Sequence, residues 1–506
     1  MINIPNLTQT EIAKKKIEEN RTPSMSEIVE DFINEFLASK ERKKMEEGVR
    51  YFKNKNDIRD RKMYYFDDNG QKREDETATN KKLSHNWHKL LVKQKMGYLV
   101  GKPITFSDSE SSEDDDGEES PNEEFIELIN NVLADDFDDK MNELVKGSSN
   151  KGIEWLHSYI DSEGNFNYTI VDARQVIPIW ETRNEENLDS VIRFYELTVN
   201  GKERIRAELW DDEKVTYFLE DESGNLIKDN TMESNPQGHL KKVRELDGEI
   251  IEEDHQGWGK VPFIPFKNNE EMLPDLNDYK ELVDDYDENR SDLSNNLTDI
   301  QEIIYVLKNY AGQNLKEFLE NLKFNKAIKV EGDGGVDTIT IEIPIEAKKE
   351  HTDTLTEDIF MFGQGVNIKT DRFGNSPSGV ALSFLYAQLD LKCDTTERKF
   401  QKSIKNFLWF IAKYFEIKER KQYNHKAVDI TFNKSMIINE AEKIESAQKS
   451  KGIVDPETIV ANHPWADDPQ KILEKLEQQR ESAAESIFGE RYQQELDDMA
   501  GEDVDI

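Results

Sequence analysis

Ten carboxylates fall between Asp275 and Leu307: Asp275, Asp278, Glu281, Asp284, Asp285, Asp287, Glu288, Asp292, Asp299 and Glu302. Only Lys280 and Arg290 oppose them. Carboxylates at this density suit two kinds of chemistry. Pairs of them can hold magnesium for phosphodiester cleavage, and a wall of one sign can repel phosphate. The first use needs an apolar pocket around the pair, and no such pattern surrounds these residues. The eight histidines show no ligand spacing, and no Gly-x-Ser-x-Gly turn occurs. His85 and His88 flank Trp87 and are expected on a helix surface or an interface. Gly101-Lys102 fails as a phosphate loop, because Met96 stands where the first glycine is required and Pro103 where Ser or Thr would hold magnesium. A calcium loop through Asp114, Asp116, Gly117 and Glu123 fails as well. Ser112 takes its first ligand position and Glu119 its apolar one. No enzyme, metal site or cofactor is expected.

The element that must carry the carboxylates is a helix. Apolar residues recur at Leu276, Tyr279, Leu282, Val283, Tyr286, Leu293, Leu297, Ile300, Ile304 and Leu307, a single stripe on a negative rod. Run from Asp275 to Tyr310, the rod would be about 54 Å long at about 1.5 Å per residue. Its stripe requires neighbours. Tyr279, Tyr286 and Tyr305 could serve a half-wet interface, with an apolar ring and a hydroxyl that finds a partner, or pack within their own subunit.

The whole chain has 506 residues and a net charge of −39. A protein that grips DNA by neutralising phosphates is basic, so this one does not. Cys393 is the only cysteine, which excludes a disulfide framework and a thiolate zinc site. The start, MINIPNLTQTEIAKKK, lacks a signal-peptide core, and no apolar run of about 18 residues exists. A soluble protein made in cytoplasm is expected.

Around the rod, residues 1–24 read as an arm, followed by a helix through Ile28, Val29, Phe32, Ile33 and Phe36. Basic residues gather from Lys40 to Lys62, interleaved with acids as on a solvated face. Residues 80–106 predict a helix ending at Gly97 or Gly101, then a strand. Residues 107–124 hold ten acids and no base, and read as a self-repelling loop. From about 153 to 266 the period is two, with turns at Glu163-Gly164-Asn165, Asn200-Gly201 and Ser223-Gly224-Asn225, so antiparallel hairpins are expected. VPFIPF at 261–266 predicts an edge strand, because proline cannot donate to a ladder. After the rod come a short helix, strands at Ala327–Val330 and Thr338–Ile343, a helix over 345–362, a glycine-rich break at 363–379 and a helix to about Ile417.

This order includes Tyr-Leu-x-Gly-Lys-Pro, GDGGVDTITIEIP and GQGVN-x-x-x-D-x-x-GN-x-x-SGVAL. It resembles the portal proteins of tailed bacteriophages, in the branch typified by siphophages of Bacillus. The resemblance covers roughly residues 30–480. It implies an α+β portal fold with wing, stem, clip and crown regions, assembled as a ring of twelve. On that pattern 25–270 is wing behind the arm, 271–310 the first stem helix, 311–344 the clip, and 345–364 the second stem helix. Residues 365–378 are the tunnel loop, 379–434 the long wing helix and a strand, 435–486 the crown, and 487–506 an acidic tail. The loop residues Lys369, Thr370, Asp371, Arg372, Phe373, Gly374 and Asn375 would face the DNA channel. Asp278, Glu281, Asp284, Asp285, Glu288 and Asp292 would form the acidic stem wall. Ala327, Ile328, Val330, Thr338, Ile339 and Ile341 would make clip contacts to neighbours or to an adaptor.

The implied role is a dodecameric DNA channel at the capsid vertex, for genome packaging and ejection. Implied partners are the terminase large subunit, a head completion or adaptor protein, the major capsid and scaffolding proteins, and double-stranded DNA in transit, with no membrane. The location would be the virion, with host cytoplasm during assembly. The charge agrees independently: a basic bore would hold the duplex at every step, whereas a negative one repels it within the roughly 8 Å that salt leaves unscreened. An acidic scaffold or DNA mimic is the rival, but a mimic needs neither three long helices nor a glycine-rich loop.

Overall fold

The structure is a computed structural model that describes residues 23–109, 121–134, 136–181, 186–199, 201–232, 234–246, 249–299, 304–308, 335–339, 344–367, 379–435, 440–461 and scattered residues from 463 to 479. Helix and sheet are mixed, as an α+β chain requires. The chain divides into two units: residues 1–367 with 388–435, and residues 368–387 with 436–506.

The first unit opens with α1 (Met25–Ala38) and α2 (Lys40–Phe52). Ser24 and Glu27 close a reciprocal capping box on α1, and Ser39 caps α2 through Arg42 N. Next come α3 (Trp87–Leu99), α4 (Pro121–Leu133) and α5 (Asp136–Lys151). The sequence places α3 well but starts it too early, since Leu83 and His85 precede it. The acidic run 107–124 is not all loop: Thr105–Asp108 is a strand paired with Val428–Thr431, and Pro121 begins α4. Residues 110–120 lie outside the described residues, and with them Ser112, Asp114, Asp116, Gly117 and Glu119 of the rejected calcium loop, whereas its Glu123 belongs to α4.

The period-two region forms three antiparallel sheets, one of them the separate hairpin of Leu240–Leu246 with Glu249–Gln256. In the largest, the order is 226–228, 214–220, 202–210, 188–199, 176–180, with 237–238 also on 214–220. Ile192, Phe194, Ala207 and Phe218 meet Val29 and Ile33 of α1. In the three-stranded sheet, Ile153–Ile160 is central between Phe166–Val171 and Phe263–Lys267. Pro265 therefore sits on an edge strand opposite Trp155, as its missing N–H requires. Gly164, Gly201 and Gly224 occupy the expected turns with φ near +80°.

The acidic helix, α6, is Lys280–Asp299, preceded by a separate turn at Asp275–Asp278. It is about 30 Å long at about 1.5 Å per residue, not 54 Å. Ile304–Lys308 is a strand paired with Gly335–Ile339. The expected helix to Tyr310 is thus overturned. Ile304, Tyr305 and Val306 are β-branched or aromatic, and a partner strand claims them although their apolar spacing also fits a helix. The helix α7 (Ile345–Phe362) runs antiparallel to α6, as Asp285 meets His351 while Val283 and Tyr279 share a core with Ile359. α8 (Gly379–Glu419) follows. Its Phe400, Ile404, Phe407, Leu408 and Ile411 are wholly buried, with Phe400 edge-on to Phe266 and Phe407 to Tyr168. In the second unit, helices occupy Glu440–Ser450 and Pro456–Ala461. Among the described residues no helix is long and apolar enough to cross a membrane.

Helix α2 crosses α5 where Gly48 meets Asn150. A Cβ on Gly48 would come 1.9 Å from the Asn150 carbonyl oxygen, so the backbones approach as only glycine allows. Gly48→Ala should lower stability by about 2 kcal/mol through overpacking, read as a lower urea midpoint. An unchanged midpoint would show that the crossing can spread.

Candidate functional site

At the root of α6 a carboxylate is buried. Asp275 is 4% exposed. Its Oδ1 accepts from Asn268 Nδ2 at 2.9 Å, and its Oδ2 lies 3.4 Å from Lys392 Nζ and 3.6 Å from Lys95 Nζ. Lys95 is also buried and donates to Asn268 Oδ1 at 2.5 Å. Burial alone would raise the Asp275 pKa, but Lys392 and Lys95 hold it well below the usual carboxylate range. One step along, Tyr279 is buried and its hydroxyl lies 2.6 Å from His88 Nδ1, while His88 Nε2 lies 2.9 Å from Asn150 Oδ1. A neutral imidazole protonated on Nε2 satisfies both contacts, and burial pushes its pKa down to about 4. His88 is therefore core, against the surface expectation. Its spacing to Leu91, Lys95 and Leu99, all buried, was the available signal. Tyr279 packs inside its own subunit rather than at an interface. Tyr286 meets Trp87 and His85 edge-on.

Further along α6 a polar ladder fastens an extended segment. The amide of His85 donates to Asp287 Oδ1 at 3.0 Å, that of Leu83 to Ser291 Oγ at 3.0 Å, and that of Lys81 to Asn295 Oδ1 at 2.8 Å. Four helical residues advance about 6 Å and two extended ones about 6.7 Å, so alternate amides match side chains four apart. Asp287 is wholly buried and also accepts from His85 Nδ1 and Asn56 Nδ2, each at 2.6 Å. The sequence reading counts it only among the ten carboxylates of the rod and misses the ladder.

The expected wall residues divide accordingly. Asp284 is half-buried, held by Lys280 at 2.8 Å and by the Tyr51 hydroxyl. Asp292 pairs with Arg61 at 2.6 Å, and Glu288 lies 3.8 Å from the same guanidinium. Asp278, Glu281, Asp285 and Glu288 are exposed. Asp285 reaches His351 Nε2 at 3.1 Å. The 4, 3, 4 spacing of Glu281, Asp285, Glu288 and Asp292 gives one strip on α6. Lys369, Thr370, Asp371, Arg372, Phe373, Gly374 and Asn375 lie outside the described residues. So do Ala327, Ile328, Val330 and Ile341, whereas Thr338 and Ile339 belong to the strand paired with Ile304–Lys308. The segment before residue 368 is held firmly. Gln94 both donates to the Val366 carbonyl and accepts from its amide, Lys392 donates to the Gly363 carbonyl, and Leu91 covers Gly363 and Gly365.

An acidic helix rooted in the core and paired with α7, on an α+β body, is what the comparisons with known proteins bear upon. Residues 38–486 match the family described as phage portal protein, SPP1 Gp6-like. The chain is 37% identical over 493 residues to the portal protein of Bacillus phage SPP1, across 97% of this chain and 91% of that one. It is 33% identical over 450 residues to the portal protein of Clostridium phage phiCD119, across 84% of this chain and 90% of that one. The chain belongs to the phage portal protein family. Its place there is the SPP1 Gp6-like group.

Two outcomes follow. Asp287→Lys should prevent folding, because it buries an ammonium among donors, whereas Asp285→Lys and Glu288→Lys should leave the circular dichroism and urea midpoint nearly unchanged. Equal effects would erase the division of the acids. The second concerns pH. The folded pKa of His88 lies below its unfolded value of about 6.5, so its stability is full above pH 6.5 and is lost as pH falls toward 4. The loss reaches about 3 kcal/mol. His88→Gln should flatten that part of the pH profile of the urea midpoint, and a parallel profile would refute the assignment.

Proposed function

We propose that this chain is the repeating subunit of a dodecameric portal ring at one capsid vertex. Genome DNA would be packaged and ejected through its channel, and the ring would carry the packaging motor and the head-to-tail connection. Family membership over residues 38–486 supports the general role. The observation that carries the channel reading is the strip of exposed acids Glu281, Asp285 and Glu288, set on a helix whose Asp284, Asp287 and Asp292 are neutralised or buried.

In this reading α6 and α7 are the two stem helices. The strands 304–308 and 335–339 lead into and out of the clip, and the sheets with α1–α5 and most of α8 form the wing. Residues 365–378 are the tunnel loop, with Lys369 and Arg372 as the positive groups nearest the duplex, and 435–486 are the crown. Thr338 and Ile339 join Ala327, Ile328, Val330 and Ile341 in clip contacts. Terminase large subunit, head completion protein, capsid and scaffolding proteins are the partners, met in host cytoplasm and then in the virion. The wall works by repulsion: unscreened reach of about 8 Å prevents adhesion of the phosphates without barring entry, and each DNA step breaks no ion pair.

Sedimentation of the purified chain under capsid-like salt should give a ring of roughly 700 kDa, twelve copies of 58.9 kDa. Glu281→Lys, Asp285→Lys and Glu288→Lys together should leave that ring intact yet stall DNA packaging in vitro. A permanent monomer would end the ring reading, and normal packaging by the triple variant would end the charged-wall reading.

A further inference from the structure

Strands Tyr64–Phe66 and Lys72–Glu74 form a two-stranded hairpin with no third strand among the described residues. Tyr64, Tyr65 and Phe66 are 50%, 48% and 72% exposed. An isolated pair of strands is marginal in water, and three consecutive exposed aromatics are the composition of an interface core. Residues 53–82, which carry the hairpin, hold nine bases and seven acids, a net of +2 within a chain of −39. Lys62, Lys72 and Arg73 are exposed around the aromatics.

The same segment is zipped to one flank of α6 through Asp287, Ser291 and Asn295. Helix α7 occupies the opposite flank, where Asp285 and Leu282 approach it. The outward face of α7 is acidic. Glu346, Glu350, Asp353 and Glu357 are exposed at spacings of 4, 3 and 4, and Met361, 57% exposed, continues the line. Its buried residues, Leu355 and Ile359, lie on the other side. One molecule therefore presents an aromatic flank with exposed bases and an acidic flank with an apolar end, on opposite sides of one helix. Within the hairpin Lys62 pairs with Glu74 at 2.7 Å and Arg73 with Asp67 at 2.6 Å, so docking would exchange these partners for the acids of α7. The exposed strip of α6 lies between them. Surfaces that are complementary but not identical join head to tail, and such contacts close into rings when the rotation between copies closes.

We propose that the Tyr64–Phe66 hairpin docks on the outward face of α7 of a second copy of this chain, and that this contact links neighbours around the ring. The inference rests on the ring reading above and names its lateral contact. Aromatic anchors supply the buried area, and Lys62, Lys72 and Arg73 meet the acids of α7.

The test uses the full chain and analytical ultracentrifugation. Tyr64→Ser, Tyr65→Ser and Phe66→Ser together should weaken self-association about tenfold or more while leaving circular dichroism unchanged. Lys72→Glu with Arg73→Glu should weaken it, Glu350→Lys with Glu357→Lys should weaken it, and the four changes in one chain should restore it. Carbodiimide cross-linking should join Lys72 to Glu350 or Glu357 of another copy, identified by mass spectrometry of mixed isotopic labels. Wild type and hairpin variant assembling alike, with no restoration by the charge swap, would overturn the docking while leaving the ring standing. A monomeric wild type would overturn both.

Discussion

The acidic helix depends on one buried carboxylate. Asp275 is the last residue before the acidic helix that the core can hold by charge, and it is gripped by lysines from two different helices, α3 and α8. Charges in so dry a place are tolerated only with partners and hydrogen bonds that offset desolvation, and breaking such a set costs about 3–5 kcal/mol. The set is satisfied here by Asn268, whose amide accepts from Lys95 and donates to Asp275. The acidic helix therefore has a fixed root. Cys393 beside it is sealed off, its thiol pushed by burial up to about 12, so it behaves as a small apolar residue.

From this root outward, like residues serve unlike ends. Asp275 and Asp287 fold the protein, Asp284 is neutralised by Lys280 of its own helix and Asp292 by Arg61, and among the described acids of this segment Asp278, Glu281, Asp285 and Glu288 keep exposed carboxylates. A net charge counts all of them equally, whereas the field felt outside comes chiefly from the last group, since close pairs cancel at a distance. The acid content of a segment thus overstates its power to repel. Burial sorts the contributors.

How much of this was legible in the sequence depended on the range of the interaction concerned. Hairpins in the sheet region announced themselves through period two and turn glycines, and the edge strand through Pro265, because both signals are local. The order of elements was enough to show the family resemblance. The extent of α6 was misjudged, since Ile304 and Leu307 fit a helical stripe and the strand at Gly335–Ile339 that recruits them lies about thirty residues away. His88 was misplaced for the same kind of reason: its partners, Tyr279 and Asn150, are remote in the chain. The ladder of Asp287, Ser291 and Asn295 had a visible trace in its four-residue spacing, but polar residues on a helix read first as a wet face. Charge reads as surface until a partner far along the chain claims it.

The grip on Val366 has a consequence for mechanics. Gln94 binds both the amide and the carbonyl of that residue, while Leu91 leaves no room for a side chain at Gly363 or Gly365. Force applied to the chain beyond this point is delivered to α3, a helix embedded in the body, before it can unwind the end of α7. The pair of hydrogen bonds acts as a bollard, confining any excursion downstream and sparing the helical hairpin from being peeled apart.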